Sequence, residues 1–136
     1  MACERCNRID ILLVDDYAAV REGLRMRLSL EPDLRIVGEA WDGLNAIQLA
    51  QNLSPKLIIM DIEMPRLDGI SATSQMKSQL VDSEIIILSM DDSANIHEKA
   101  KLAGAAAVLH KNDSIDKLIS TIRSITSNRS AVMAGV

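Results

Sequence analysis

Five short apolar runs constrain this chain more than any other feature. They are IDILLV (Ile9 to Val14), LRIVGEA (Leu34 to Ala40), KLIIM (Lys56 to Met60), EIIILSM (Glu84 to Met90) and AAVLH (Ala106 to His110). A strand with one wet face alternates apolar and polar residues, whereas a strand covered on both faces need not. Continuous runs of Ile, Leu and Val at this length therefore point to a parallel sheet buried on both sides.

Helical periods fill the intervals. Tyr17 to Leu30 carries Val20, Leu24 and Leu28 on one stripe, and Asp42 to Leu53 carries Leu44, Ile47 and Ala50. Asp68 to Leu80 repeats the pattern with Ile70, Thr73 and Met76, and Asp92 to Ala103 with Ile96, Ala100 and Ala103. The clearest stripe is Ile115, Leu118, Ile119, Ile122 and Ile125, in a helix expected over Ser114 to Ser127 with Asp113 or Ser114 as its N-cap. Gly104 is a stop signal for the fourth helix. Strand and helix alternate five times, the pattern of an open α/β sheet with helices on both faces. With one Trp, one Tyr and no Phe, the core must be aliphatic.

In such sheets, sites form beyond the carboxyl ends of the strands. The first run ends in Asp15-Asp16, the third in Asp61, the fourth carries Ser89 near its end, and the fifth ends in Lys111. The second ends in Glu39-Ala40-Trp41, which looks less organised. Three carboxylates gathered at one edge raise some carboxyl pKa values, bind a cation, or both. Mg²⁺ takes one or two protein carboxylates plus waters and phosphate oxygens. Lys111 is a point charge suited to phosphate, and Ser89 supplies a hydroxyl. Together they read as a phosphoryl-transfer site in which Asp61 is the attacking oxygen. Each residue alone has an ordinary role: an acid pair after a strand is often a helix N-cap, and a lone Asp61, Ser89 or Lys111 would be a loop or surface residue. The conjunction at four strand ends carries the reading.

The residues ILLVDD (Asp15, Asp16), LIIMDIEMPRLDG (Asp61, Met64, Pro65, Asp68, Gly69), IIILSM (Ser89) and GAAAVLHK (Lys111) resemble a response-regulator receiver domain of the CheY-like family. The resemblance covers Arg8 to Ile125, and the D-x-x-M-P-x-x-D-G run is its most specific part. It implies a flavodoxin-like, doubly wound, five-stranded parallel sheet of order 2-1-3-4-5 with five helices. It implies that Asp61 accepts a phosphoryl group from a histidine kinase or phosphotransfer protein. Asp16, Asp61 and the backbone carbonyl of Glu63 would hold Mg²⁺, with Asp15 joining directly or through water. Lys111 would contact the phosphate, and Ser89 would move to bond a phosphate oxygen, a two-state switch reported on the face of the fourth helix, fifth strand and fifth helix. The chain would be a regulatory domain and not an enzyme.

Three departures from the family pattern matter. Val108 stands where the family usually has Tyr or Phe, Met90 follows Ser89 where a small residue is common, and the acids Glu63 and Asp91 occupy positions that tune phosphoryl lifetime. The stretch VREGLRMRLSLEPDLRIVGEAWDGLNAI resembles receivers joined to a LuxR-type helix-turn-helix in NarL/FixJ-type transcription regulators. No such DNA-binding domain lies in these residues, and the net charge of -4 argues against nucleic-acid binding by the domain itself. DNA contact is expected only through a domain outside this chain, which reads as a fragment. The expected organisation is a tail over residues 1–7, the receiver domain over 8–126, and a tail or linker start over 127–136.

No apolar run approaches the ~20 residues needed to span a bilayer. The start MACERCNRID has no apolar segment of a signal peptide. No membrane partner is expected, and the expected location is cytoplasmic. Cys3 and Cys6 form half of a zinc-type motif, but a closed site needs four ligands and only His97 and His110 remain. They read as reduced thiols on a tail, with a zinc shared between two chains as the alternative. A homodimer is compatible with the apolar stripe of the last helix, a stripe that serves equally as core. The same residues admit two rival functions: a phosphorylation-independent binding module, and an aspartate-nucleophile phosphatase of the haloacid-dehalogenase type. The phosphatase reading suffers from an acid pair that comes first in the chain instead of late.

Overall fold

The computed structural model describes residues 8–79, 81–91 and 93–134, with side chains to residue 127. Cys3 and Cys6 lie outside the described residues. The elements run β1 (Ile9–Val14), α1 (Ala18–Leu28), β2 (Leu34–Ala40), α2 (Gly43–Leu53), β3 (Leu57–Asp61), α3 (Gly69–Ser78), β4 (Glu84–Ser89), α4 (Ala94–Ala103), β5 (Ala107–His110) and α5 (Ile115–Ala134). The strands form one five-stranded sheet in the order β2-β1-β3-β4-β5, all neighbours parallel. This is the doubly wound order that the resemblance implied.

The continuous apolar runs are explained by two cores, one on each face. Ile11, Leu13, Leu57, Ile59 and Ile86 pack with Leu28 of α1 and with Leu118, Ile119 and Ile122 of α5. The alternate residues Leu12, Val14, Ile58, Met60, Ile85 and Ile87 pack with Ile47 of α2, Ala72 and Met76 of α3, and Ala100 of α4. Each fully buried side chain of this size contributes about 1.5–3 kcal/mol of transfer free energy. The two aromatic residues stand outside both cores: Tyr17 and Trp41 are exposed. Strand β2, at one edge of the sheet, is only partly buried, and its pairing with β1 shifts register between Ile11 and Leu12.

The five helices lie where expected, with small shifts at the ends. Asp42 and Asp68 cap α2 and α3 by accepting the backbone N–H groups of Asn45 and Ser71. Gly104 closes α4 with φ of 113°, a conformation open to glycine at little cost. Helix α4 starts at Ala94 under the Ser93 cap, later than the expected Asp92. For α5 the side chain that caps is Ser114, whose Oγ accepts the Lys117 N–H at 3.2 Å; Asp113 turns back to accept the His110 N–H at 3.0 Å. Helix α5 also continues past Ser127 to Ala134. The apolar stripe ends at Ile125, but no Gly or Pro interrupts the chain before Gly135, so the backbone has no local reason to stop. Among the described residues no helix is long and apolar enough to cross a membrane.

Candidate functional site

The carboxyl edge of the sheet collects the strand-end residues. Strand β1 delivers Asp15 and Asp16, and its central neighbour β3 ends on Asp61 itself. One carboxylate oxygen from each lies within 4.8 Å of the other two. Asp15 and Asp61 are 4% and 6% exposed, so their mutual repulsion is poorly screened by water. Lys111, one residue past β5, places Nζ 3.2 Å from Asp15 Oδ2 and 3.2 Å from Asp61 Oδ2. Its backbone N–H donates to the Ser89 carbonyl at 2.9 Å, which fixes where the lysine leaves the sheet.

The acid pair is not an ordinary helix cap. The residue capping α1 is Tyr17, with no side-chain cap bond. Asp15 Oδ1 accepts the Tyr17 N–H at 2.9 Å, its Oδ2 faces Lys111, and Asp16 Oδ1 is buried with no hydrogen-bond partner. An unpartnered buried carboxylate oxygen is costly unless a cation or water completes it. A hard divalent cation such as Mg²⁺ therefore fits this donor set.

Burial pushes the Asp61 carboxyl above its ordinary range; the Lys111 ammonium opposes the rise and the Asp15 charge adds to it. Burial acts to lower the Lys111 ammonium, but the charges of Asp61 and Asp15 outweigh it and hold its pKa up. Three carboxylates and one ammonium thus leave the edge short of positive charge.

The turn after Asp61 explains the residues that follow. The Gly69 N–H donates to the Ile62 carbonyl at 2.8 Å, and a Cβ at Gly69 would lie 2.1 Å from the Asp61 carbonyl oxygen, so only glycine fits. After Pro65 the chain turns through Arg66 at φ of 69°, with the Leu67 N–H bonded to the Pro65 carbonyl at 2.8 Å. Arg66 Nε donates to the buried Asp42 Oδ2 at 3.0 Å, tying this turn to the α2 N-cap. A Cβ at Gly43 would lie 2.5 Å from the Leu67 carbonyl, so α2 and the turn are in close contact.

Ser89 closes β4 and is 5% exposed. Its hydroxyl donates to the Asp91 carbonyl at 2.9 Å and accepts the Asp91 N–H at 2.9 Å, so it is engaged with its own loop. Met90 is 61% exposed, and Glu63 and Asp91 are also exposed. The Asp91 side chain accepts the Ser93 N–H, which lowers its carboxyl pKa. Val108 is half-buried against the core that faces α2, α3 and α4.

Three contacts escaped the sequence reading. The end of β2 is organised after all: Glu39 accepts from Arg21 at 3.1 Å and from Arg25 at 2.6 Å, and Arg21 Nη1 donates to the Asp15 carbonyl at 2.5 Å. The second is the Asp42–Arg66 pair, and the third is His110, whose ring Nε2 is 3.0 Å from the Met90 carbonyl. Spacing alone carries no signal for any of them, since each joins residues distant in sequence. His97 lies apart on α4, lining a shallow groove with Ala94, Glu98, Lys101 and Leu102.

Comparison with known proteins places this geometry. The sequence model described as Response regulator receiver domain matches residues 11–123. The transcriptional regulatory protein LiaR of Bacillus subtilis is 40% identical over 116 residues, 85% of this chain and 54% of LiaR. The transcriptional regulatory protein DegU of Brevibacillus brevis is 32% identical over 117 residues, 86% of this chain and 50% of DegU. The chain thus spans about half the length of these curated relatives. Among solved structures, the signal receiver domain of NarL from Mycobacterium tuberculosis superposes with a TM-score of 0.85 at 26% identity, covering 89% of this chain and 98% of that one. The response regulator domain of Thermotoga maritima CheB gives 0.79 at 34% identity, covering 86% and 95%. With the family matched across most of its length and the strand order in agreement, this chain belongs to the response-regulator receiver domains of two-component systems.

Proposed function

We propose that this receiver accepts a phosphoryl group on Asp61 from a histidine kinase or phosphotransfer protein and relays the event to a separate DNA-binding domain, as the names of its transcription-regulator relatives suggest. The observation that carries the reading is the shared lysine: one ammonium within 3.2 Å of both Asp15 and Asp61, beside a third carboxylate with a buried, unpartnered oxygen. An Asp61 carboxylate oxygen would bond to phosphorus as the bond from phosphorus to the donor atom breaks, and the donor leaves with that electron pair. Asp16, Asp61 and the Glu63 carbonyl, with Asp15 directly or through water, would hold Mg²⁺. The ion's contribution is to neutralise charge on the phosphoryl oxygens and the leaving group.

Lys111 already points at Asp61, so it would pair with a phosphate oxygen with little movement. Ser89 must move: its hydroxyl would give up the two Asp91 backbone bonds to donate to the phosphate. Exposed Met90, Glu63 and Asp91 at the rim would set water access and hence phosphoryl lifetime. Self-phosphorylation from a small donor and slow self-dephosphorylation are the only chemistry this reading assigns to the chain, which is otherwise regulatory.

Mass spectrometry after incubation with Mg²⁺ and acetyl phosphate tests the reading. A gain of one phosphoryl group that is absent in Asp61→Asn is the expected result. No gain, together with no spectral change on adding beryllofluoride, would replace it with the phosphorylation-independent binding module that the already satisfied Ser89 hydroxyl would favour.

A further inference from the structure

Residue 110 sits where two loops of the site meet. In the sheet, His110 pairs with Ser89, and Lys111 follows it directly. Its ring Nε2 lies 3.0 Å from the Met90 carbonyl in the loop after β4. Its ring Nδ1 accepts the Asn112 N–H at 3.0 Å in the loop after β5. Its own backbone N–H donates to Asp113 Oδ2 at 3.0 Å, and Lys117 Nζ holds that carboxylate at 3.2 Å. A carbonyl only accepts and a backbone N–H only donates, so the bonding pattern requires a neutral ring with its proton on Nε2.

We propose that His110 is the positioning residue that couples the Ser89 loop to the Lys111 loop, and so carries the phosphorylation signal from the carboxyl edge toward α4. The proposal rests on the phosphoacceptor reading above. Its basis is connectivity: Met90 lies between Ser89, which must turn, and Asp91, whose backbone Ser89 must release. Asp91 in turn bonds the Ser93 N–H at 2.9 Å, and Ser93 caps α4 through the Ile96 N–H at 3.3 Å. A hydrogen bond that grips the Met90 carbonyl therefore acts on the first link of a chain that ends in a helix. Val108 has no polar atom or ring with which to do this from its half-buried place two residues earlier.

NMR on the whole chain tests this with beryllofluoride and Mg²⁺ as the phosphoryl mimic. Long-range ¹H–¹⁵N spectra of the wild type are expected to show Nε2 protonated, Nδ1 unprotonated, and a ring signal that shifts when the mimic binds. A ring with averaged tautomers that ignores the mimic overturns the coupling. His110→Leu is expected to bind the mimic at Asp61 but to lose the shift changes along Ala94–Ala103. His110→Gln, whose amide can donate to the Met90 carbonyl, is expected to recover them. Mimic binding with an undiminished α4 response in His110→Leu overturns the coupling alone. No mimic binding by the wild type overturns the phosphoacceptor reading and the coupling with it.

Discussion

At the carboxyl edge of the sheet, Asp15, Asp16 and Asp61 are gathered about one lysine. Near the start of β2, Glu31 and Asp33 share Arg123, and Arg27 joins Glu31 to Asp116. The second group has two guanidiniums for three carboxylates and lies largely at the surface. Its geometry is also better: Arg123 meets Asp33 with two parallel bonds, Nε to Oδ2 at 3.0 Å and Nη2 to Oδ1 at 2.9 Å. The pKa directions separate the two groups. Burial drives Asp61 up, while hydrogen bonds from Arg123 and Arg27 hold Glu31 down and a hydrogen bond from Arg123 holds Asp33 down. The fold satisfies the outer charges and leaves the inner carboxylates crowded around one ammonium, the kind of perturbed cluster that gathers at functional sites.

The largest effect expected is metal stabilisation of the inner group. Mg²⁺ at about a hundred times its dissociation constant should add roughly 2.7 kcal/mol to unfolding free energy. Asp16→Asn should lose most of that gain and Arg123→Ala none of it, as read by urea denaturation with and without the ion. Equal stabilisation of all three proteins would erase the contrast. Next in size is Lys111→Met. With its side chain only 19% exposed, Lys111 is the one cation paired with the Asp15 and Asp61 carboxylates among the ion pairs of the described residues. Its removal leaves two buried carboxylates facing each other, at a cost of about 2 kcal/mol in the absence of metal. Added Mg²⁺ should return part of that loss, which a packing defect would not allow.

How much of this contrast the sequence could show depends on what each part rests upon. Asp15, Asp61, Ser89 and Lys111 were legible because each ends an apolar run, and a charge at the end of a doubly buried strand stands out. The two-core sheet was legible for the same reason, through Ile11, Leu12 and Leu13 in unbroken succession. Arg21 on Glu39, Arg66 on Asp42 and His110 on Met90 were not, because each looks like a solvated side chain until the fold brings its partner near. The engagement of the Ser89 hydroxyl depends on loop backbone, which no spacing encodes. The length of α5 was not legible, because an apolar stripe reports packing against the sheet, whereas a helix can run on past its stripe where no Gly or Pro interrupts it.

Asp61→Asn should stabilise the protein by about 1 kcal/mol near neutral pH, because it removes one of three crowded charges. The sign follows from the raised carboxyl pKa. The folded state then holds its proton more tightly than the unfolded chain, so the wild type loses stability as pH rises from the unfolded value through the folded one. The advantage of Asp61→Asn should therefore be full above the folded pKa and shrink as pH falls toward the ordinary aspartate range. An advantage that is constant with pH would mean the gain comes from packing and not from charge.

Arg123→Ala should give the smallest change and the opposite pH dependence. Exposed ion pairs in proteins generally contribute roughly 0–1 kcal/mol and are weakened by salt. Glu31 and Asp33 are held below their ordinary values, so whatever stability Arg123 confers is present above those values and lost as pH falls through the lowered ones. The penalty of Arg123→Ala should thus vanish only on acidification below the ordinary carboxylate range, whereas the benefit of Asp61→Asn fades above that range and from the other side of wild type. Urea midpoints for both variants, measured over acid to neutral pH at low and high salt, give two curves that converge on wild type from opposite signs. The Arg123 curve should flatten in high salt, while the curve for the buried Asp61 should keep most of its slope, since counterions reach it poorly. Two curves of the same sign would mean that the strand-edge carboxylates are satisfied like the surface ones, and that the cation deficit inferred for the site is not there.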